Sequence, residues 1–488
     1  MTTEKSDVVI IGGGFGGLTC GLALAKAGKS VLVIEKEPFL GGAFQSFRRR
    51  GQSLDTGFHY VGGVGEGEVM RPIVTFFGLE NLPWKRLDDP FLEVFIRGER
   101  HFLPCGYDHF AESLGNEFPE DREALQELVR IMRDINAHLY ETVGFGTYIW
   151  MNQLMTVSAK TYLEQHFHNP MLRDLLCGQC LTTELTHELP LYAFIQSLNS
   201  FIQGAYRLKG GGETLIRRLA EQIEATGGKI LTRKTVSGFT LSEDGVIGSV
   251  QCADDSEYAA DTFISPLHPS LTTELIPDCS QMRKIYRRRM RNLENTIGMF
   301  TVQLALKPGT VRYRNQSISI IENDDLWNTS SGKDEPVRNM LVNFNMPQEG
   351  NLATNIDLMV PMSWDAVEEW SDSRVGRRPD EYRAFKKRKA EECIAFAMRY
   401  IPELQGNIEE YWTSSPLTYR DYTGTPHGSC YGVRKSCNNV LGTVTSPVTP
   451  IPNLFLAGQS LMLHGMLGTA MTSIKTCNLI CGRNLMEA

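Results

Sequence analysis

Gly12, Gly14 and Gly17 stand between an apolar, β-branched run at residues 7–11 and a Leu- and Ala-rich stretch at 18–27, and Glu35 follows a second apolar run at 31–34. That order reads as strand, glycine turn, helix, strand and terminal acid. Each position has a chemical use. Gly12 permits a tight turn, Gly14 lets backbone approach a diphosphate, and Gly17 lets the helix lie close on the strand. A helix N-terminus offers its N–H groups to the anion. Glu35 has the spacing to accept hydrogen bonds from ribose hydroxyls. A GxGxxG triplet alone is a weak signal in a chain with 45 glycines among 488 residues. All five features in one register predict a βαβ dinucleotide-binding unit.

The elements that must hold this unit in place need a chain of several domains, and 488 residues suffice for two to four of them. The formal charge is −8, from 49 Lys and Arg against 57 Asp and Glu, which offers no global electrostatic argument for nucleic acid. Eleven cysteines are scattered; Cys177 and Cys180 have CxxC spacing, but no second pair completes a zinc site, so no metal is expected. They read as reduced thiols of a cytoplasmic protein. The first strand begins within a few residues of Met1, leaving no room for a signal peptide, and no stretch supplies the roughly 20 apolar residues that cross a bilayer.

Beyond the βαβ unit, residues 38–63 are too rich in glycine and charge to form one regular element. Gly41 and Gly42 would let backbone pass close to a bound cofactor, and Arg48, Arg49 and Arg50 read either as a phosphate partner or as a solvated charged face. Residues 12–17, the pair Glu35 and Lys36, the pair Gly41 and Gly42, and above all 55–60 (DTGFHY) resemble the flavoprotein superfamily of phytoene desaturases, carotenoid isomerases and all-trans-retinol saturases. The likeness returns at 425–432 (TPHGSCYG) and 451–468 (IPNLFLAGQSLMLHGMLG). The resemblance implies FAD, held by Gly12, Gly13, Gly14, Phe15, Gly16, Gly17, Glu35, Lys36, Gly41, Gly42 and Ala43, with His59 and Tyr60 beside the flavin. It also implies that Gly458, Gln459, Met466 and Leu467 close over the isoalloxazine ring. Val236 would meet the adenine side through its backbone, or is a plain buried strand valine.

The fold class expected is α/β: a Rossmann-like FAD-binding domain (1–70, 205–290 and 440–488) interleaved with a mixed-sheet substrate domain (71–105 and 291–439) that carries a helical cap (106–204). Residues 69–105 read as strands of the second sheet, and 112–140 as one amphipathic helix, with Leu125, Leu128, Ile131, Met132 and Ile135 on its apolar face. Residues 229–236, 246–252, 295–306, 317–322, 337–346 and 355–362 read as strands, and 213–225, 380–400 and 465–484 as helices. The apolar stretch 144–208 reads as a buried helical core or as a cap over a hydrophobic tunnel, and the resemblance favours the tunnel. The basic run 283–291 reads as an exposed charged helix, or as a holder of lipid headgroups or of a nicotinamide cofactor's phosphate.

A flavin site beside an apolar tunnel implies hydride or electron exchange with carbon. The expectation is an FAD-dependent oxidoreductase that saturates, desaturates or isomerises C=C bonds of a long polyene or isoprenoid lipid, in contact with the membrane surface but not spanning it. No second glycine fingerprint exists for a resident nicotinamide, so NAD(P)H enters only as a transient reductant. His59, Tyr60 and His464 are the candidate proton donors, with Tyr431 nearby in the sequence blocks. Two rivals stand beside this: an amine-oxidase-like flavoenzyme with an aromatic cage, and a prenyl-binding module of the GDP dissociation inhibitor type. The latter degrades the fingerprint that is intact here.

Overall fold

The computed structural model describes residues 5–142, 149–178, 183–328 and 332–487. Two seven-stranded sheets organise them. In the first, Lys229–Leu231, Val31–Ile34, Ser6–Ile11, Glu257–Ser265 and Leu454–Leu456 run parallel in that order, and Ile247–Cys252 and Val236–Leu241 continue antiparallel from Glu257–Ser265. Ser6–Ile11 is central and flanked on both faces, which is why its run Val8, Val9, Ile10 and Ile11 is apolar without alternation. The helix Phe15–Lys26 is buried from Phe15 to Ala25 because Gly211–Ala225 and Gly465–Cys481 pack against it. Chain start and chain end thus share one core.

The second sheet has the order Ile408–Ser414, Gly298–Leu306, Asn355–Met362, Asn339–Phe344, Ser317–Ile321, Leu92–Ile96, Glu99–Leu103. All its pairs are antiparallel except Ser317–Ile321 with Leu92–Ile96. Side chains alternate between its faces as strand geometry requires. Met299, Leu341 and Met359 join the core of the cap helices, whereas Phe300, Val342 and Val360 join the core under helix Asp380–Met398. A short sheet of Val61–Gly62, Ala205–Leu208 and Trp84–Arg86 ties the two large ones together.

Several sequence expectations shift. Residues 71–76 form a helix, not a strand, and Ile73, Val74 and Phe77 pack on the core of the first sheet. The single helix expected at 112–140 is two, Tyr107–Glu117 and Arg122–His138, broken at Pro119 because proline cannot supply a helical N–H. The buried Asp121 at this break accepts from the N–H groups of His168 (2.6 Å) and Asn169 (2.8 Å), so the interruption docks the next cap helix. The strand read at 229–236 ends at Leu231, and Val236 starts the next one. Strand Ile408–Ser414 was not expected from the sequence. Residues 144–148 of the apolar stretch, and Cys180 of the CxxC pair, lie outside the described residues. Among the described residues no helix is long and apolar enough to cross a membrane, and no cluster of metal ligands occurs.

Candidate active site

The first sheet ends in a glycine-lined cradle. Gly12 has φ +117°, a conformation reserved for glycine, and its N–H donates to Ile34 O at 2.8 Å. A Cβ at Gly17 would lie 2.0 Å from Gly12 O, so glycine there is a packing requirement between helix and turn. Gly14 differs: its φ of −72° and ψ of 174° suit any residue, and a Cβ would meet nothing in the protein nearer than Gly42 Cα at 3.8 Å. The fold therefore leaves a hollow above Gly14, bordered by Gly41 and Gly42. The first N–H groups of helix Phe15–Lys26 have no partner within the helix and are available to an anion there. This open cradle fits a diphosphate. Glu35 is buried, accepts from Gly13 N–H at 2.6 Å and Glu37 N–H at 2.8 Å, and is thereby fixed beside the turn. Gly458 lies against Gly16, since a Cβ on Gly16 would be 3.3 Å from Gly458 Cα.

Where the cap, the second sheet, the short sheet and the closing helix Gly465–Cys481 converge, a cavity of about 250 Å³ opens. Its walls are mostly apolar, among them Phe44, Phe201, Met299, Leu341, Met359 and Leu463. No Lys, Arg, Asp or Glu lines it among the described residues. All three candidate proton donors, His59, Tyr60 and His464, face this one space, together with Tyr431, Ala43, Gln459, Met466 and Leu467. The Tyr431 and His464 rings lie 4.6 Å apart. Burial holds the Tyr60 hydroxyl well above its usual pKa, so it stays a neutral donor; its oxygen has no partner among the described residues. Burial also pushes the Cys430 thiol up to about 12, which removes thiolate chemistry at neutral pH. Tyr419 is fixed by a 2.7 Å hydrogen bond between its hydroxyl and that of Thr301.

A second cavity of about 460 Å³, with Gln52, Ser53, Asp55, Asn345 and Asn355 among its lining residues, lies behind His59. His59 and Phe58 line both spaces. His59 Nδ1 is 3.4 Å from Asp357 Oδ2, the same oxygen that accepts from Asn345 Nδ2 at 2.9 Å. The network continues through Asn343, whose Nδ2 donates to Asn345 Oδ1 and whose Oδ1 accepts from Arg207 Nη2, each at 2.9 Å. Arg207 is fully buried and reaches five acceptors: Tyr313 OH, Arg314 O, Gln316 O, Ser317 Oγ and Asn343 Oδ1. Asp55 also lines this cavity, accepting from Ser46 Oγ (2.5 Å) and Gly212 N–H (3.1 Å); burial raises its pKa to about 6 against the opposing effects of these bonds and His59.

Some predicted residues stand apart. The Lys36 ammonium is engaged by Asp421 O at 3.3 Å and Glu37 at 3.4 Å. Val236 sits on the outer antiparallel strand, two residues beyond Lys234, whose N–H donates to Glu35 O at 2.9 Å. Arg48 and Arg50 face Glu213 (3.5 Å) and Glu410 (2.8 Å) on the surface, as a solvated charge run does. Lys435, Asp357 and Gln196 escaped sequence reasoning. Lys435 is buried, its Nζ donating to Thr443 O and Ser460 O (2.9 Å each) and Leu461 O (3.2 Å), so it pins the turn that carries Gln459. The signal for Gln196 was present: it is an amide inside the apolar helix Leu191–Ile202.

A family model described as flavin containing amine oxidoreductase matches residues 15–481. All-trans-retinol 13,14-reductase of Macaca fascicularis is 25% identical over 535 residues, covering 99% of this chain and 86% of that protein. Prolycopene isomerase 2, chloroplastic, of an Oncidium hybrid cultivar is 24% identical, covering 94% and 80%. Among solved structures, a triple mutant of putrescine oxidase superposes with a TM-score of 0.65 at 17% identity, covering 98% of this chain and 99% of the other. At that identity the likeness concerns the fold.

Proposed function

Because the chain belongs to the flavin containing amine oxidoreductase family and is an FAD-dependent oxidoreductase, we propose that it saturates, desaturates or isomerises C=C bonds of a long polyene or isoprenoid lipid. The observation that carries this is the chamber walled by Phe44, Phe201, Met299, Leu341, Met359 and Leu463 and free of charged side chains among the described residues. An ammonium substrate would be buried there without a carboxylate, at a cost of several kcal/mol. A hydrocarbon chain instead gains about 25 cal/mol for each Å² of apolar surface it buries. The names of the retinol reductase and prolycopene isomerase relatives point the same way.

The glycine cradle, Glu35 and the N-terminus of Phe15–Lys26 would hold the diphosphate and ribose of FAD, with Gly458, Gln459, Met466 and Leu467 over its ring. When bound, the flavin supplies two-electron exchange with carbon. The chain's residues manage position, water and protons. Cap and closing helix keep bulk water from the apolar chamber. His59, its Nδ1 3.4 Å from Asp357 Oδ2, takes a proton from the second cavity, which opens to solvent beside the exposed Ser53 and Thr354, and presents it to the apolar one. Tyr60 is a second, neutral donor. In this reading NAD(P)H serves as a transient reductant, and the exposed basic helix Lys284–Arg291, with Ile285 at 60% exposure, meets a membrane surface.

The test is anaerobic reduction of the flavin followed by mixing with retinoids, carotenoids, unsaturated lipids and, in the opposite direction, oxidised enzyme with primary amines. A polyene altered at a C=C bond is the expected result, with reduced flavin reoxidised as a substrate is saturated, oxidised flavin reduced as one is desaturated, or no net change in flavin redox state as one is isomerised. Rapid bleaching by an amine and inertness to every lipid would refute the reading.

A further inference from the structure

Within the apolar chamber one side chain is out of place. Gln196 lies on Leu191–Ile202, between Ile195 and Ser197, and is 5% exposed. Neither its Oε1 nor its Nε2 has a hydrogen-bond partner among the described residues, yet it lines the chamber. Buried amides are normally paired, and an unpaired one is costly to keep. Further buried atoms without hydrogen-bond partners among the described residues belong to the same walls: His59 Nδ1 and the hydroxyl oxygens of Tyr60 and Ser429. Unpaired polar groups on the walls of a mostly apolar space are what a ligand with a small polar group on an otherwise apolar body can pair with.

We infer that Gln196 is a specificity residue that receives an uncharged hydroxyl end of the lipid, so that the substrate class is a polyene or isoprenoid alcohol. A hydroxyl both donates and accepts, and so pairs with Oε1 and Nε2 of one amide. A carboxylate would enter a chamber lined by no Lys or Arg among the described residues, and an ammonium one lined by no Asp or Glu. A pure hydrocarbon would leave the Gln196 amide unpaired, which is how a hydrogen-bonding site rejects an analogue that lacks the hydroxyl. The inference rests on the lipid reading above and separates its two forms. The retinol reductase relatives are named for an alcohol, the prolycopene isomerases for a hydrocarbon.

The experiment is equilibrium binding to the oxidised, flavin-loaded protein, read by perturbation of the flavin absorbance. The probes are all-trans-retinol, retinoic acid and the analogue with CH₃ in place of CH₂OH, and in parallel geranylgeraniol and its own CH₃ analogue. Wild type is expected to bind at least one alcohol tenfold or more tightly than its hydrocarbon partner, with the acid weakest. Gln196→Met, similar in length and apolar, is expected to bring alcohol and hydrocarbon within about threefold. Its melting temperature without ligand should be no lower than that of wild type, because no internal hydrogen bond is lost. Equal binding of alcohol and hydrocarbon by wild type overturns the inference and leaves the lipid reading standing. Binding of none of the five overturns the lipid reading itself. A Gln196→Met protein that melts well below wild type shows the amide to be paired internally and also overturns the inference.

Discussion

Replacing Gly14 by alanine is expected to leave the protein folded and to empty its dinucleotide cradle. The backbone at Gly14, φ −72° and ψ 174°, accepts alanine without strain, and the new methyl carbon would meet Gly42 Cα at 3.8 Å and Gly41 O at 3.9 Å, both ordinary contacts. Alanine is a poorer helix cap than glycine, but it also restricts the unfolded chain, and the two effects together keep the stability change within about 1 kcal/mol. A diphosphate in the hollow is another matter. Its oxygens must come to about 2.9 Å from the helix N–H groups, and a methyl group projecting into that space pushes them away by about 1 Å. Losing two charge-assisted hydrogen bonds costs about 3–6 kcal/mol, which weakens flavin binding by about 10²- to 10⁴-fold. Gly17→Ala is the contrast. Its methyl carbon would lie 2.0 Å from Gly12 O, a backbone atom that moves only if strand and helix part, so this variant loses more than about 3 kcal/mol of stability. The assay is flavin absorbance per mole of purified protein, together with thermal unfolding of the flavin-free form by circular dichroism. A Gly14→Ala protein that retains stoichiometric flavin, or one that melts as low as Gly17→Ala, refutes the division between ligand-imposed and fold-imposed glycines.

Three further outcomes follow from the buried polar groups. Burial raises the Asp55 carboxyl from the usual 3.8 to about 6, so the folded state binds its proton more tightly than the unfolded state and stability falls as pH rises from about 4 to 6. Asp55→Asn keeps an acceptor for Ser46 and Gly212 and removes that titration; relative to wild type it should gain about 3 kcal/mol between pH 4 and 7 in urea unfolding, and a difference independent of pH would contradict the assignment. Arg207→Lys keeps the charge but not the planar fork that reaches five acceptors, and is expected to lose about 2–4 kcal/mol in the same assay. Lys435, with its pKa lowered by burial to about 7, satisfies three carbonyls around the Gln459 turn. Lys435→Met strands those carbonyls, so a loss of about 2–4 kcal/mol and faster flavin release are expected; flavin dissociation unchanged from wild type would detach this lysine from the cofactor turn.

What the sequence disclosed and what it hid follow from the range of the interactions concerned. The crossover was legible because its determinants are local: glycine where φ is positive or contacts are close, β-branched runs where strands are covered on both faces, and an acid at fixed spacing. Strand Asn355–Met362 was legible to the residue from Ile356, Leu358, Met359, Val360 and Met362, although it also carries Asn355 and Asp357. Ile408–Ser414 was missed because EEYWTS mixes charge and aromatics on an edge strand that only its partner Gly298–Leu306 defines. Helix Tyr107–Glu117 was merged with the next because apolar periodicity continues across Pro119, and only the docking of His168 and Asn169 onto Asp121 shows why the chain turns there.

The site repeats this division at finer scale. His59 and Tyr60 stood out because they lie in a motif, but their meaning depends on partners far away in the chain: Asp357 behind the histidine, and the chamber wall of Gln196 and Ser429 around the tyrosine. A lone Gln in an apolar helix reads in sequence as a minor irregularity of its buried face. In three dimensions it is an amide without a hydrogen-bond partner among the described residues, on the wall of a space lined by no charged side chain, and on our inference a ligand hydroxyl supplies the missing partner. Chambers of this kind recognise by what they leave unpaired. Their selectivity is therefore written in residues whose neighbours, not whose identities, mark them out.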